Sequence, residues 1–165
     1  MPRAARSQPD YPLEEDLVAY FGRCLRRPQT PWGNGLRLVF EFDYSTGRPD
    51  VIALCGNGEV LAFEAKLYRW RDALHQAYRN RCFANRSYVV LPSAAACHAV
   101  QYEQEFRRRR VGLCSVSAKG GIEVLLETEL LTPLQPWLTT RVIAQIVPPK
   151  KKGLKKCQPT QNSLQ

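Results

Sequence analysis

The triplet Glu64-Ala65-Lys66 closes an apolar run, Val60 to Phe63. Successive side chains of a strand point to opposite faces, so Glu64 and Lys66 share one face, an acid beside a base at the rim of a core. Burying both there is costly unless they pair with each other or hold a cation. The link Gly56-Asn57-Gly58 supplies residues that tolerate positive φ, so it folds the run Asp50–Cys55 back on Glu59–Lys66 as an antiparallel hairpin. Asp50 at the head of one strand thereby comes beside Glu64 near the end of the other. Two carboxylates and the carbonyl of Ala65 are hard oxygen donors, which suit Mg²⁺ with water completing its octahedron. The bland alternative is a structural Glu64–Lys66 ion pair at the sheet edge.

Pro49-Asp50 followed by Glu64-Ala65-Lys66 resembles the signature of the PD-(D/E)XK nuclease superfamily. The order helix, three strands, helix, strand, spanning Leu13 to Val116, is similar to that superfamily's core. The resemblance implies a restriction-endonuclease-like fold in which Asp50 and Glu64 bind Mg²⁺ or Mn²⁺. Lys66 would position and help deprotonate the attacking water, or stabilise charge on the phosphate. The resemblance also implies an acid on the first helix that completes the metal site. Glu14 or Glu15 would serve, with Glu14 favoured because it falls beside the Leu17/Val18/Phe21 face. A glutamine on the helix after the lysine is matched by Gln76, but the fuller Gln-x-x-x-Tyr form is not met, because Asn80 stands in its last position. The physics agrees with such a site: a bound metal lowers the pKa of water and neutralises negative charge that develops during in-line attack on phosphorus.

These residues need a scaffold, and the hydrophobic pattern supplies one. From Leu13 to Arg26 the apolar residues Leu13, Leu17, Phe21, Cys24 and Leu25 recur at helical spacing, with Glu14, Glu15 and Asp16 in the first turn, where the helix dipole favours acids. Pro28 and Pro31 end that helix. Leu36 to Phe42 reads as a strand with Leu36, Leu38, Phe40 and Phe42 on one face and Arg37 and Glu41 on the other. After the hairpin, Trp70 to Phe83 reads as a helix and Ser87 to Leu91 as a strand. Ser93 to Arg109 reads as a further helix. Strands at Val111–Val116 and Ile122–Glu127 flank a turn at Lys119-Gly120-Gly121, and Thr132 to Val147 reads as a last helix started by Pro133. The order α-β-β-β-α-β-α-β-β-α predicts an α/β (α+β) fold of three layers, a central mixed sheet flanked by helices. Residues 1–12 read as a flexible N-terminus, 13–147 as a single domain and 148–165 as a basic disordered tail.

The chain has 165 residues, with 24 Lys and Arg against 15 Asp and Glu, a net charge of +9. Its length suits one domain, and no apolar run approaches the roughly 20 residues of a membrane-spanning helix. The N-terminus carries basic residues with no apolar stretch behind them, so a cytoplasmic protein that is not exported is expected. The positive charge is unevenly placed: Lys150, Lys151, Lys152, Lys155 and Lys156 lie in the tail without one acid. Arg69, Arg71, Arg79, Arg81 and Arg86 face only Asp72, and Arg107 to Arg110 form a third block, part of which helix capping explains. Such clusters either neutralise phosphates or form a solvated basic face. Arg48, Arg69, Arg71, Arg79 and the lysines 150–152 are the candidate phosphate contacts, Arg48 having a second reading as the partner of Asp50. Tyr68 and Trp70 offer rings for base stacking, and for Trp70 a core position is favoured. The six cysteines show no CxxC spacing and the two histidines, His75 and His98, fit no zinc pattern. Cys55 and Cys114 sit in apolar runs as core thiols of a reducing compartment.

The expected function is a metal-dependent endonuclease that hydrolyses DNA phosphodiester bonds, with Asp50, Glu64, Lys66 and Gln76 as its catalytic set and Asp50, Glu64 and Glu14 as its metal ligands. The alternative is a non-catalytic nucleic-acid-binding or partner-binding module on the same fold. No segment reads as a sequence-recognition element, so specificity would come from a homodimer, a partner protein or the shape of the DNA.

Overall fold

The structure is a computed structural model that describes residues 11–148. Its elements are α1 (Glu14–Leu25), β1 (Arg37–Phe40), β2 (Val51–Leu54), β3 (Val60–Ala65), α2 (Trp70–Asn80), β4 (Arg86–Pro92), α3 (Ser93–Ala99), a 3₁₀ turn (Val100–Tyr102), α4 (Glu103–Arg109), β5 (Gly112–Ser117), β6 (Gly121–Leu126) and α5 (Pro136–Ile146). The strands form a six-stranded sheet in the order β1-β2-β3-β4-β5-β6. β1, β2 and β3 run antiparallel, β3, β4 and β5 parallel, and β6 antiparallel to β5. The mixed α/β fold with a helix-flanked mixed sheet is therefore as the pattern predicts. Among the described residues no helix is long and apolar enough to cross a membrane.

The central strands are apolar on both faces because helices cover both. On one side Leu17, Phe21 and Leu25 of α1 pack on Val51, Ala53, Leu61, Phe63, Tyr88 and Val90. On the other, Trp70, Ala73, Leu74 and Ala77 of α2 join Ala96, Phe106, Val89 and Leu91, while Leu138 and Val142 of α5 cover Ile52, Val60 and Ala62. α1 begins where Leu13 N–H donates to Asp16 Oδ2 at 3.1 Å, and its acidic first turn complements the dipole. Tyr11, assigned by the sequence to the loose N-terminus, is buried in the first cluster beside Tyr20. The rest of the expected N-terminal segment, residues 1–10, and the tail from 149 onward lie outside the described residues. Cys55 and Cys114 are buried core thiols, and the described cysteines are free.

Three elements differ from the sequence pattern, each for a local reason. The first strand stops at Phe40 because Glu41 takes a left-handed conformation, φ 54°. That break shifts the alternation, so Phe42 joins Ile52 and Phe83 on the α5 side while Leu38 and Phe40 stay with α1. The expected helix 93–109 is two short helices around a 3₁₀ turn, which brings both Tyr102 and Phe106 onto the Trp70 ring, at centroid distances of 5.1 and 5.6 Å. Helical periodicity alone cannot register such a tightened turn. The last helix starts at Pro136 rather than Pro133, with the proline at the N-terminus, where its missing N–H is harmless. The chain before it is held extended by Leu131 N–H on Asn85 O at 2.9 Å and Gln135 N–H on Cys82 O at 2.7 Å.

Candidate functional site

The hairpin sets the frame. Gly58, at φ +87°, closes its turn, and β2 pairs with β3 so that Val51 lies opposite Phe63. One step outward on the same register places Asp50 opposite Glu64, as the residue count requires. Asp50 Oδ2 accepts the backbone N–H of Ala65 at 2.8 Å, tying the carboxylate to the end of β3.

Glu64 is only 3% exposed and projects toward α2, on the face opposite Phe63. Its Oε1 accepts Asn80 Nδ2–H at 2.6 Å, and Asn80 Oδ1 accepts the Tyr44 hydroxyl at 2.8 Å. Asn80 and Tyr44 are themselves buried. Burial pushes the Glu64 carboxyl up to about 8. The Asn80 hydrogen bond opposes that rise, the Asp50 charge adds to it, and Lys66 and Arg79 counter it. Burial likewise raises Asp50, against the Ala65 N–H bond and the charge of Lys66. Tyr44 is raised chiefly by burial.

Lys66 lies one residue past β3, where its Nζ donates to Glu14 Oε2 at 2.9 Å, a half-buried ion pair across the end of α1. Burial alone would lower the ammonium. The hydrogen bond and charge of Glu14, with the charges of Asp50 and Glu64, hold it above its ordinary value. Glu14 alone pairs with the ammonium, while Asp50 and Glu64 act on it by charge from beyond ion-pair distance, and Glu14 rather than Glu15 is the helix acid that reaches the site. Among the described residues no group of three or more His, Cys, Asp or Glu side chains is placed to hold a metal ion. Glu14, named with Asp50 and Glu64 as a ligand, instead engages Lys66. The remaining donor set still fits a small hard cation. Glu64 and the partly buried Asp50 each have one oxygen held by a protein donor, Asn80 Nδ2–H and Ala65 N–H, and burial raises both carboxyls.

Gln76 lies one turn before Asn80 on α2. Its Oε1 is buried without a hydrogen-bond partner among the described residues, and its amide N–H donates to neither carboxylate. Arg48 pairs with Glu41 at 2.5 Å, not with Asp50. Arg69 pairs with Asp72 at 2.6 Å. Arg71 pairs with Glu105 at 3.1 Å and lies over the Trp70 ring at 4.0 Å, on the side of α2 that meets α4. Of these helix arginines, Arg79 alone is felt at Glu64. Lys150, Lys151 and Lys152 lie outside the described residues. His75 is exposed. Tyr68 is 66% exposed, and Trp70 is a core residue stacked on Phe106.

Asn80 and Tyr44 are the site residues that the motif did not reveal. Asn80 had a signal: a polar residue in register with Ala73 and Ala77 on the buried face of α2 needs a polar partner. Tyr44 had none, because its position depends on the loop between β1 and β2. There Tyr44 N–H bonds Gly47 O at 3.1 Å, and a Cβ on Gly47 would come within 2.5 Å of the Tyr44 hydroxyl oxygen.

No family model matches the chain, and no curated protein matches it by sequence. Among solved structures, SPO1766, a protein of unknown function from Silicibacter pomeroyi, aligns with a TM-score of 0.51 at 19% identity, over 86% of this chain and 85% of that one. SfsA from Pyrococcus furiosus, in complex with Ca²⁺, aligns with a TM-score of 0.38 at 12% identity, over 72% of this chain and 63% of that one. The likeness to SPO1766 is one of fold.

Proposed function

We propose that the protein is a divalent-metal-dependent phosphodiesterase that hydrolyses DNA, of the PD-(D/E)XK type. The observation that carries this reading is the placement of Asp50 opposite Glu64 at the open end of the β2–β3 hairpin, tied to Ala65 N–H, with Lys66 on the next residue of the same chain end. A bound Mg²⁺ or Mn²⁺ would supply acidity to water and charge compensation at the phosphate. Asp50 Oδ1, Glu64 Oε2 and the carbonyl of Ala65 are the groups that would hold it. Asn80 fixes Glu64 by its Oε1, which leaves Oε2 to the ion. Lys66 gives one of its three N–H donors to Glu14, and the others are left to bind a phosphoryl oxygen or to orient the attacking water. The overall change forms a bond from water oxygen to phosphorus and breaks the phosphorus–oxygen bond to the leaving nucleoside.

One observation favours the second reading, a nucleic-acid-binding module without catalysis: Glu14 is engaged by Lys66 and no three-residue ligand group forms among the described residues. The two readings separate in one experiment. Protein incubated with Mg²⁺ or Mn²⁺ and single- and double-stranded DNA is expected to cleave, and Asp50→Ala and Lys66→Ala are expected not to. Equal inertness of wild type and variants, with DNA binding that survives Glu64→Ala and needs no metal, would establish the module instead.

A further inference from the structure

A groove of about 550 Å³ runs between α1 and the β1 edge of the sheet and ends on Asp50. Its two ends differ in charge. Glu14, Glu15 and Glu41 stand at the Asp50 end, and Arg23 and Arg26 line the remainder, with an apolar floor of Val18, Ala19 and Phe40. The helix wall follows from spacing: Glu15, Ala19, Arg23 and Arg26 are separated by four, four and three residues and so form one stripe along α1. From Glu15 to Arg26 the helix rises about 16 Å.

Arg48, Arg69 and Arg71 are each occupied by a carboxylate. Arg23 and Arg26 have none among the described residues. The Arg23 guanidinium lies over the Tyr20 ring at 5.5 Å and that of Arg26 over the Phe40 ring at 5.2 Å. Stacking on a ring steadies a guanidinium while leaving its N–H edge open to an anion. Gly22 makes the floor possible, since a Cβ there would stand 2.9 Å from Phe40 Cζ.

We infer that this groove seats a single nucleic-acid strand, with backbone phosphates on Arg23 and Arg26, and leads it to Asp50. The inference rests on the phosphodiesterase reading for its substrate class and adds a path to the site. Charge complementarity selects a polyanion at the arginine end. The apolar floor suits sugar and base faces, which a single strand exposes and a duplex stacks away. Arg23 and Arg26 stand three residues, or about 4.5 Å, apart along the helix axis, so the pair addresses neighbouring phosphates. The acids at the far end would repel phosphate, so a strand reaches Asp50 only where a cation offsets them.

The test is fluorescence anisotropy of a labelled single-stranded oligodeoxynucleotide and of its duplex, in EDTA so that cleavage contributes nothing. The single strand is expected to bind more tightly than the duplex. The double variant Arg23→Ala/Arg26→Ala is expected to weaken single-strand binding at least tenfold and to reduce the slope of log K against log salt by about 1.4, or about 0.7 for each lost contact. Ala19→Trp, which fills the groove without changing charge, is expected to weaken it too, and Arg141→Ala, at an exposed position of α5 on the other face of the sheet, to leave it within twofold. Circular dichroism melts check that each variant folds. No single-strand binding by wild type, preference for the duplex, or unchanged binding by both the double variant and Ala19→Trp would overturn the inference. The nuclease reading fails separately. Arginine-dependent binding with no cleavage in Mg²⁺ or Mn²⁺ leaves the groove and removes the enzyme, whereas cleavage indifferent to the groove variants does the reverse.

Discussion

Asn80 donates to Glu64 across the interface of α2 and β3, a 2.6 Å hydrogen bond between two side chains that are both almost wholly buried. Asn80 is the residue that departs from the glutamine-and-tyrosine pattern of the superfamily that the motif resembles, and it is the one that holds the carboxylate. A buried carboxyl without a donor would carry the full desolvation penalty. Tyr44 completes the arrangement by donating to Asn80 Oδ1, which fixes which end of the amide faces Glu64.

Replacing Asn80 by Ala removes both bonds and leaves a buried carboxyl and a buried hydroxyl unpartnered. A loss of about 2–4 kcal/mol in urea unfolding is expected. Tyr44→Phe, which removes one donor and keeps the ring against Phe83, is expected to cost about 1 kcal/mol. Equal effects of the two substitutions would show that the hydrogen bonds are not what stabilises this corner.

The raised Glu64 carboxyl makes the metal-free protein less stable as pH rises. With a folded value of about 8 against 4.5 in the unfolded chain, the folded state binds more protons throughout that window. Stability contributed by this group is therefore present in full below about pH 4.5 and is lost as pH climbs toward 8. Asp50 shifts in the same direction and adds to the trend. Melting in EDTA from pH 5 to 8 is expected to show a falling midpoint, and Glu64→Gln is expected to flatten it; a midpoint that rises over that range in wild type contradicts the assignment.

Divalent cation should reverse that loss. At neutral pH, Mg²⁺ or Mn²⁺ at about 100 times its Kd would stabilise the fold by about 2.7 kcal/mol through mass action. Asp50→Asn and Glu64→Gln are expected to remove the response. A thermal shift that persists in both variants would locate the metal elsewhere.

Lys66 and Glu14 divide stability from chemistry. Their ion pair is half exposed, so Glu14→Gln is expected to change unfolding free energy by no more than about 1 kcal/mol. Lys66→Ala is expected to lower DNA cleavage by about 10²-fold or more with a similarly small stability change. Cleavage by Lys66→Ala at the wild-type rate would assign the lysine to structure alone.

How much of this was legible along the chain depends on how far apart the interacting residues lie. Alternation in Val60–Ala65, the glycines at 56 and 58 and the residue count between them suffice to bring Asp50 to Glu64, because a tight hairpin converts sequence distance directly into register. The helical stripe of α1 and the fully apolar central strands specify a covered mixed sheet in the same way. Phe42 marks the limit even at short range, since one left-handed residue at Glu41 moves it to the other face.

The contacts between elements are not written in any period. Lys66 meets Glu14 across 52 residues and Tyr44 meets Asn80 across 36, and both meetings depend on where α1 and α2 settle on the sheet. Packing likewise chose which arginines are occupied. Arg69 and Arg71 resemble Arg23 and Arg26 as charges in a sequence, but the first two found acids on α2 and α4, and the latter two pair with none of the described carboxylates and lie over Tyr20 and Phe40 instead. Local pattern determines which residues share a strand or a helix face. The partner each buried or charged group obtains is a property of the assembled core, because desolvation and charge pairing act between elements brought together only by folding.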